Sequence, residues 1–494
     1  MIVFHVPAPL GPGGFFSPLR RRAPQLAEPD VLRKPREYGL YLPSVHRYPA
    51  PAVVKILVLT NLYPPHHAGT YDFRVQSLAE MLQLRGHHVH VLTSKHGMTH
   101  EQRGGEVERR LLLNGAYEHA AVTRLNELRA LETANHEILR ETIDAFEPDL
   151  IHVHSLIGLS KSLIFALRNA RRPTVYDVAD YWMAEDLRAD PWLRWWNRPG
   201  GPALHKLWRA CLELTGRRNQ WDMHAPTRMV KGYDRIPEVY GDAASLAQVA
   251  PNSIPAFRFD RLYFCSQALK EATERAGFRV GHGEVIYPGT ATQQFVGEMK
   301  PATAPVTKFL IVSRLHARSG VLTAIKALEA ARANNLKGSL SIYGRGDSDY
   351  IAQVRSYIAM HQLPVEFLPV SNISRDLPAV YRRHDALLHP CEWNEPFALP
   401  PLEAMASGLP VIGAEMGGAR ELLRHGENAL TYPPGDAQAL AARLQELQSQ
   451  PELRCRLVEA AQQEVLSKYN ETAVADRIEN YLQTSLEVWA HTAT

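Results

Sequence analysis

From Val53 onward the chain alternates short apolar runs with segments whose apolar residues recur every three or four positions. VVKILVLT, starting at Val53, is a continuous apolar run ended by Asn61 and two prolines, the pattern of a strand buried on both faces of a parallel sheet. Residues 72–85, DFRVQSLAEMLQLR, place Phe73, Leu78, Met81, Leu82 and Leu84 largely on one stripe, and Gly86 follows as a cap, which predicts a helix. HVHVLTS predicts a second strand. A helical pattern around 121–146, LIHVH at 150–154, a helix near 160–170 and TVYDV at 174–178 continue the alternation, which defines a doubly wound α/β unit.

The stretch from Tyr181 to about Phe259 breaks this rhythm and carries six of the eight tryptophans, Trp182, Trp192, Trp195, Trp196, Trp208 and Trp221. It reads as a helical insertion at about 181–259. RLYFCS, a helix from about Gln267 to Ala276 and EVIYPG restore the alternation, and the polar, proline-containing GEMKPATAPVT makes a hinge near 297–307. A second βα series then runs through KFLIVS, SLSIYG, VEFLP, ALLHP and PVIGA, with helices between them, and the tail from Asp436 to about Trp489 is almost all helical pattern. The expected fold class is α/β with two Rossmann-like domains, residues 53–300 and 301–470, and a C-terminal helix at 471–494 crossing back to the first.

Composition narrows the class. With 494 residues and 45% hydrophobic content, two or three domains can each bury a core, and wholesale disorder is excluded. Lys and Arg number 55 against 52 acids, and residues 1–52 hold seven basic and three acidic residues, so the remainder is nearly neutral and nucleic-acid binding is not expected. Those 52 residues also hold 10 of the 35 prolines and show no apolar period; they read as a disordered extension or as a start placed too early. Cys211, Cys265, Cys391 and Cys455 are far apart, which suggests neither a disulfide framework nor a zinc ribbon, and reduced cytosolic thiols are expected. No run of about 18 apolar residues and no secretory-signal layout is present, so the expected location is cytoplasmic.

Open α/β sheets bind ligands beyond the carboxyl ends of their strands, which makes four loops the candidates for chemistry. After the first strand, Gly69 sits just before a helix, where small residues let backbone N–H groups approach an anion. After KFLIVS, RLHARSG presents Arg314 and Arg318 before a helix N-terminus, a pair suited to a diphosphate as well as to a solvated surface. GRGD at 344–347 lacks the third glycine of a dinucleotide fingerprint, which disfavours an NAD-dependent dehydrogenase. HPCEWNEPFALPPLEAMASGLPVI, residues 389–412, holds Glu395 before a helix and Glu403 within it, with the N–H groups of Phe397, Ala398 and Leu399 at the helix start. An amphipathic helix with an acid in its first turns is the plainer account of the same pattern.

Residues 53–487 resemble the retaining glycosyltransferases of family 4, whose two Rossmann-like halves face each other across a cleft in the GT-B fold. EPFALPPLEAMASGLPVI resembles that family's motif of two acids separated by seven residues, with Glu395 and Glu403 as the acids. VSRLHARSG resembles its diphosphate-holding segment, Gly69 its glycine loop, and MGGARELL (416–423) its Gly-Gly segment. The resemblance implies transfer of a sugar from a nucleoside-diphosphate sugar, a co-substrate rather than a cofactor, without an obligatory metal. Arg314 and loop amides would steady the leaving diphosphate, Glu395 would position the donor sugar, Glu403 the ribose, and the amides of residues 397–399 the phosphate side. The acceptor would be a carbohydrate, a lipid-linked compound or a small molecule, with peripheral membrane contact as a further option in the family.

Three positions depart from the family pattern. Ser319 stands where the family usually has Lys, Ala179 where it often has His before Asp-Tyr-Trp, and Ala398 where it has Gly. Arg318 is the candidate substitute for the missing cation. His154 in LIHVHSL and Asp180 become candidate polar groups on the acceptor side, each with a structural alternative as a strand-end histidine or a turn cap. The tryptophans of the insertion would stack on an acceptor or form a satellite core. ERRLLLNGAYEHAAVTRLNELR, with Arg109, Arg110, Arg124 and Arg129, reads as a solvated helix face. The expectation is a retaining glycosyltransferase; the rivals are a noncatalytic nucleotide-sugar-binding homologue, a sugar-nucleotide epimerase and a glycan phosphorylase of the same fold.

Overall fold

The computed structural model describes residues 53–67, 69–122, 124–160, 163–183, 259–275, 280, 283–296, 300–301, 304–370 and 373–493, with positions 203, 207, 210, 211, 214 and 215. The expected N-terminal extension, most of the tryptophan-rich insertion and part of the 297–307 hinge lie outside the described residues.

Runs that are apolar on both sides stay dry only when helices cover both faces of their sheet, and the chain builds two such sheets. β1 (Lys55–Leu59), β2 (His88–Ser94), β3 (Val107–Leu111), β4 (Leu150–Val153), β5 (Thr174–Val178), β6 (Arg261–Phe264) and β7 (Glu284–Val285) lie in the order β3-β2-β1-β4-β5-β6-β7. β8 (Lys308–Val312), β9 (Ser339–Tyr343), β10 (Val365–Phe367), β11 (Ala386–His389), β12 (Val411–Ala414) and β13 (Leu430–Tyr432) lie in the order β10-β9-β8-β11-β12-β13. All neighbouring strands run parallel, and each order reverses once, between β1 and β4 and between β8 and β11. At such a reversal the crossover helices leave on opposite faces and a crevice opens beyond the strand ends. The loops that follow β1, β4, β8 and β11 therefore line the two crevices.

The first helix, Thr70–Leu84, buries Val75, Leu78, Ala79 and Leu82, whereas Leu84 is 87% exposed. Of the expected stripe, Leu78 and Leu82 are buried, Phe73 and Met81 are half-buried and Leu84 faces solvent. The last helix, Glu471–Ala493, packs on it: Val474, Ala475, Ile478, Tyr481 and Leu482 share one apolar cluster with Val54, Ile56, Val75, Leu78 and Leu82. A polar clasp frames this contact, with Ser77 Oγ donating to Glu471 at 2.6 Å and His87 Nε2 2.9 Å from Glu479 Oε1.

The reading of residues 108–129 as a solvated helix face is corrected. Val107–Leu111 is a strand, and the helix begins only at Leu125. Arg109 and Arg110 are both buried. Arg109 donates to the carbonyls of Tyr63 and Pro64, and Arg110 pairs with Glu141 at 2.6 Å and Glu101 at 3.4 Å. Buried guanidinium groups are tolerated where carbonyl and carboxylate oxygens replace water, and such partners leave no trace in a hydropathy pattern. No helix among the described residues is long and apolar enough to cross a membrane.

Candidate active site

At the reversal in the second sheet, β8 ends at Val312 and the chain turns through Arg314 into a single 3-10 turn, Ala317–Ser319. Arg314 and Arg318 are exposed. Ser319 is buried instead: its hydroxyl donates to the His316 carbonyl at 2.6 Å and closes the turn, so the expectation that Ser319 meets the donor is not supported by its placement. Gly320 follows at φ +71°, and a Cβ there would stand 1.7 Å from the Pro390 carbonyl oxygen. Only glycine lets this loop pass against the one that follows β11. The GRGD segment braces the same loop, with Leu315 N–H donating to Arg345 O at 2.9 Å and Asp347 N–H donating to Leu315 O at 2.8 Å. Asp347 then caps the next helix.

The loop after β11 carries the two acids. Glu395 Oε1 lies 2.5 Å from Nε2 of His389, the last residue of β11. The backbone of Glu395 is also held: its carbonyl accepts from Gly418 N–H at 2.9 Å, and Gly417 at φ +55° would bring a Cβ within 2.6 Å of that same oxygen. This is the structural work of the Gly-Gly segment. The helix Leu399–Ala406 starts beyond Ala398, whose methyl is fully buried and which offers no capping side chain. Glu403 lies one turn in and is buried, and Tyr381 OH donates to its Oε2 at 2.7 Å. Burial raises the Glu403 carboxyl to about 7, and the Tyr381 hydroxyl works in the opposite direction.

The electrostatics show which of these groups converge. The His316 imidazole is lowered first by burial and then by the charges of Arg318 and Arg314, while Glu395 opposes them. Arg314, Arg318, His316 and Glu395 therefore share one neighbourhood at the second crevice. Groups of the first half face it. Burial raises the Tyr117 phenol, and the Arg314 charge acts against that rise; burial lowers His67, and Arg345 lowers it further. Tyr181 OH donates to Asn394 O at 2.6 Å, and its ring centroid stands 6.3 Å from that of Trp393. Glu421 reaches the other way, accepting from the N–H groups of Gln267 (2.9 Å) and Ala268 (2.7 Å) at the start of the helix Gln267–Arg275. A carboxylate there meets both unpaired amides and the positive end of the helix dipole.

On the first half, Gly69 has open space where a Cβ would stand, and its N–H donates to Asp72 at 3.3 Å. Asp180 is a turn cap, accepting from Ser155 Oγ at 2.6 Å and from Trp182 N–H at 2.9 Å. His154 does not reach the gap: it is buried, its Nδ1 is 3.3 Å from Asp177 Oδ2 and 3.5 Å from Tyr71 OH. Burial lowers its pKa against the pull of Asp177, and the ring belongs to a core network with Arg74, which meets Asp177 at 2.7 Å. His154 is thus held by its partners inside the core, whereas Asp180 is half-buried, stands next to Tyr181 and acts electrostatically on the same Tyr117 phenol as Arg314. His389, Tyr381, Tyr181 and Trp393 were not singled out in the sequence, because no periodicity shows which loop side chains meet.

Among the described residues, His389, Cys391 and Glu395 alone have the spacing of a metal-ligand group, their donor atoms lying within 4.8 Å of one another. An imidazole nitrogen and a carboxylate oxygen on one tetrahedral ion stand ~3.4 Å apart, given bonds of about 2.0–2.2 Å. The 2.5 Å separation of His389 and Glu395 is that of a direct charge-assisted hydrogen bond.

Comparisons with known proteins agree with this architecture. Residues 300–464 match the family model described as glycosyl transferases group 1, and residues 69–211 match the glycosyl transferase 4-like domain. Glycogen synthase of Mycobacterium tuberculosis strain H37Rv is 25% identical over 440 residues, covering 85% of this chain and 92% of that protein. Phosphatidyl-myo-inositol mannosyltransferase of Mycobacterium leprae is 33% identical over 146 residues, 29% of this chain and 37% of that one. Among solved structures, Anabaena HepE in complex with UDP-glucose superimposes with a TM-score of 0.57 at 20% identity, covering 87% of this chain and 100% of that one. Sucrose-phosphate synthase from Thermosynechococcus elongatus gives 0.59 at 19% identity, with coverage of 88% and 100%.

Proposed function

Because the chain belongs to the GT-B glycosyltransferases of the family 4 type, we propose that it moves a glycosyl unit from a nucleoside-diphosphate sugar to an acceptor hydroxyl with retention of anomeric configuration. The observation that carries this reading is the convergence of Arg314, Arg318 and Glu395 in the crevice between β8 and β11, facing Tyr117 and Tyr181 of the first half. The HepE complex with UDP-glucose supports a donor of the same class here.

In the reaction, the bond between the anomeric carbon and the diphosphate oxygen breaks and its electron pair stays on the diphosphate. The acceptor oxygen bonds to the same face, and its proton passes to the departing phosphate. The barrier is set by the charge that develops on the leaving group. Two exposed guanidinium groups and the start of the helix Val321–Ala333 supply fixed positive potential there without reorganising. Glu395 would accept from a donor-sugar hydroxyl and Glu403, through the oxygen not bonded to Tyr381, from a ribose hydroxyl. The Arg318 side chain takes the place of the cation the family usually has at 319.

The test is to incubate the protein with UDP-, GDP-, dTDP- and ADP-sugars over a panel of sugar, lipid-linked and small-molecule acceptors, and to follow nucleotide release and the anomeric proton coupling of the product. Acceptor-dependent release with the donor's own anomeric configuration is expected. An inverted product overturns retention. Nucleotide-sugar binding without release over the whole panel supports the noncatalytic homologue, and conversion of the donor without an acceptor supports the epimerase.

A further inference from the structure

Glu395 enters the proposed reaction through one carboxylate oxygen, and its other oxygen is already occupied. Oε1 meets His389 Nε2 at 2.5 Å, and the two side chains are 17% and 6% exposed. The partner is well chosen for rigidity. His389 ends β11, a strand buried along its whole length and paired on both sides, to β8 and to β12. The acid is pinned separately, since Glu395 N–H donates to Trp393 O at 2.7 Å and Gly418 N–H donates to the Glu395 carbonyl. A carboxylate fixed at its backbone and at one oxygen has a single orientation left for the other.

We propose that His389 is a positioning residue for Glu395: its Nε2–H holds Oε1 and sets the rotation of the carboxylate, so that Oε2 is aimed at a hydroxyl of the donor sugar. Two features of the site support this role over that of a simple strand anchor. The bond is side chain to side chain and spans only the loop that carries the acid, so its geometry is transmitted directly to Glu395. The imidazole also keeps its charge: burial alone would lower its pKa, and the Glu395 carboxylate with the Cys391 thiol beside it more than offsets this, bringing His389 to about 10. A charged donor on a carboxylate makes a shorter and stronger hydrogen bond than a neutral one.

The inference rests on the reading of Glu395 as a donor-sugar contact, and a kinetic double-mutant cycle separates the two. Saturation kinetics are measured for the wild type, Glu395→Gln, His389→Ala, His389→Gln and the double variant His389→Ala/Glu395→Gln. With Glu395→Gln impaired, His389→Ala is expected to lower kcat by about 10- to 100-fold with the donor KM within about 3-fold of wild type. His389→Gln, whose amide can still donate to Oε1, is expected to recover at least about 5-fold of that loss. In the Glu395→Gln background, His389→Ala is expected to add less than about 2-fold, because the carboxylate whose orientation His389 sets is already gone. An impaired Glu395→Gln beside an unaffected His389→Ala overturns the positioning role alone, as do independent, multiplicative losses in the double variant or a glutamine no better than alanine. An unchanged kcat in Glu395→Gln overturns the reading of Glu395 and the inference with it.

Discussion

Arg314→Ala is expected to lower kcat/KM for the donor by roughly 30- to 1000-fold, about 2–4 kcal/mol of transition-state stabilisation, while thermal stability stays nearly unchanged. Both halves of this expectation come from where the residue stands. Arg314 is exposed on the loop after β8, and its charge reaches His316 on its own loop and Tyr117 across the gap. Removing an exposed side chain of this kind changes folding free energy by about 0.5 kcal/mol or less. In the proposed reaction, removing fixed charge beside the departing diphosphate acts on the transition state directly. Arg314→Lys keeps the charge but loses the planar fork, and should fall between the two. Initial rates at subsaturating donor and a thermal melt on the same preparations check the prediction. A variant that is fully active, or inactive only because it is unfolded, removes Arg314 from the reaction.

Asp177→Ala is expected to destabilise the first half by about 3–5 kcal/mol, the cost of breaking one partner out of a buried ion pair. Asp177 is inaccessible on β5, with Arg74 at 2.7 Å and His154 at 3.3 Å. Burial by itself would raise its carboxyl; the Arg74 guanidinium and the His154 imidazole overcome this and hold it at about 2, below the ordinary 3.8. A depressed acid contributes stability that is fully present above its unfolded value and is lost as pH falls through the folded one. This contribution should therefore be constant above about pH 4 and fade between about 4 and 2, a window missing from the variant. The double replacement Arg74→Met/Asp177→Leu should recover most of the loss, since neither leaves an unpaired charge. Urea unfolding of the three proteins decides the matter; a double variant as weak as Asp177→Ala contradicts the ion-pair account.

These two residues mark how far the sequence could be read. The place of Arg314 on a loop at a strand end was legible because it follows an apolar run, and in an open α/β sheet the ends of such runs are where ligands bind. The strands within VVKILVLT and KFLIVS are legible for the same reason, since burial on both faces forces continuous apolar character. The Arg74–Asp177–His154 network was not legible, because hydropathy records whether a residue prefers water and not whether a partner replaces it. The same limit hid the strand Val107–Leu111, whose arginines are buried against carbonyls and carboxylates, and the pairing of His389 with Glu395, six positions apart in a loop without period.

The central claim is that the crevice between β8 and β11 holds a nucleoside diphosphate, with Glu403 on the ribose. Calorimetric titration of UDP, GDP, dTDP and ADP into the wild type and Glu403→Gln tests it most directly, at about pH 8, where a carboxyl raised to about 7 is ionised. One or more of these nucleotides should bind the wild type one to one, with affinity roughly tenfold weaker in the variant. Absence of binding by all four, or equal affinity in the two proteins, would contradict it.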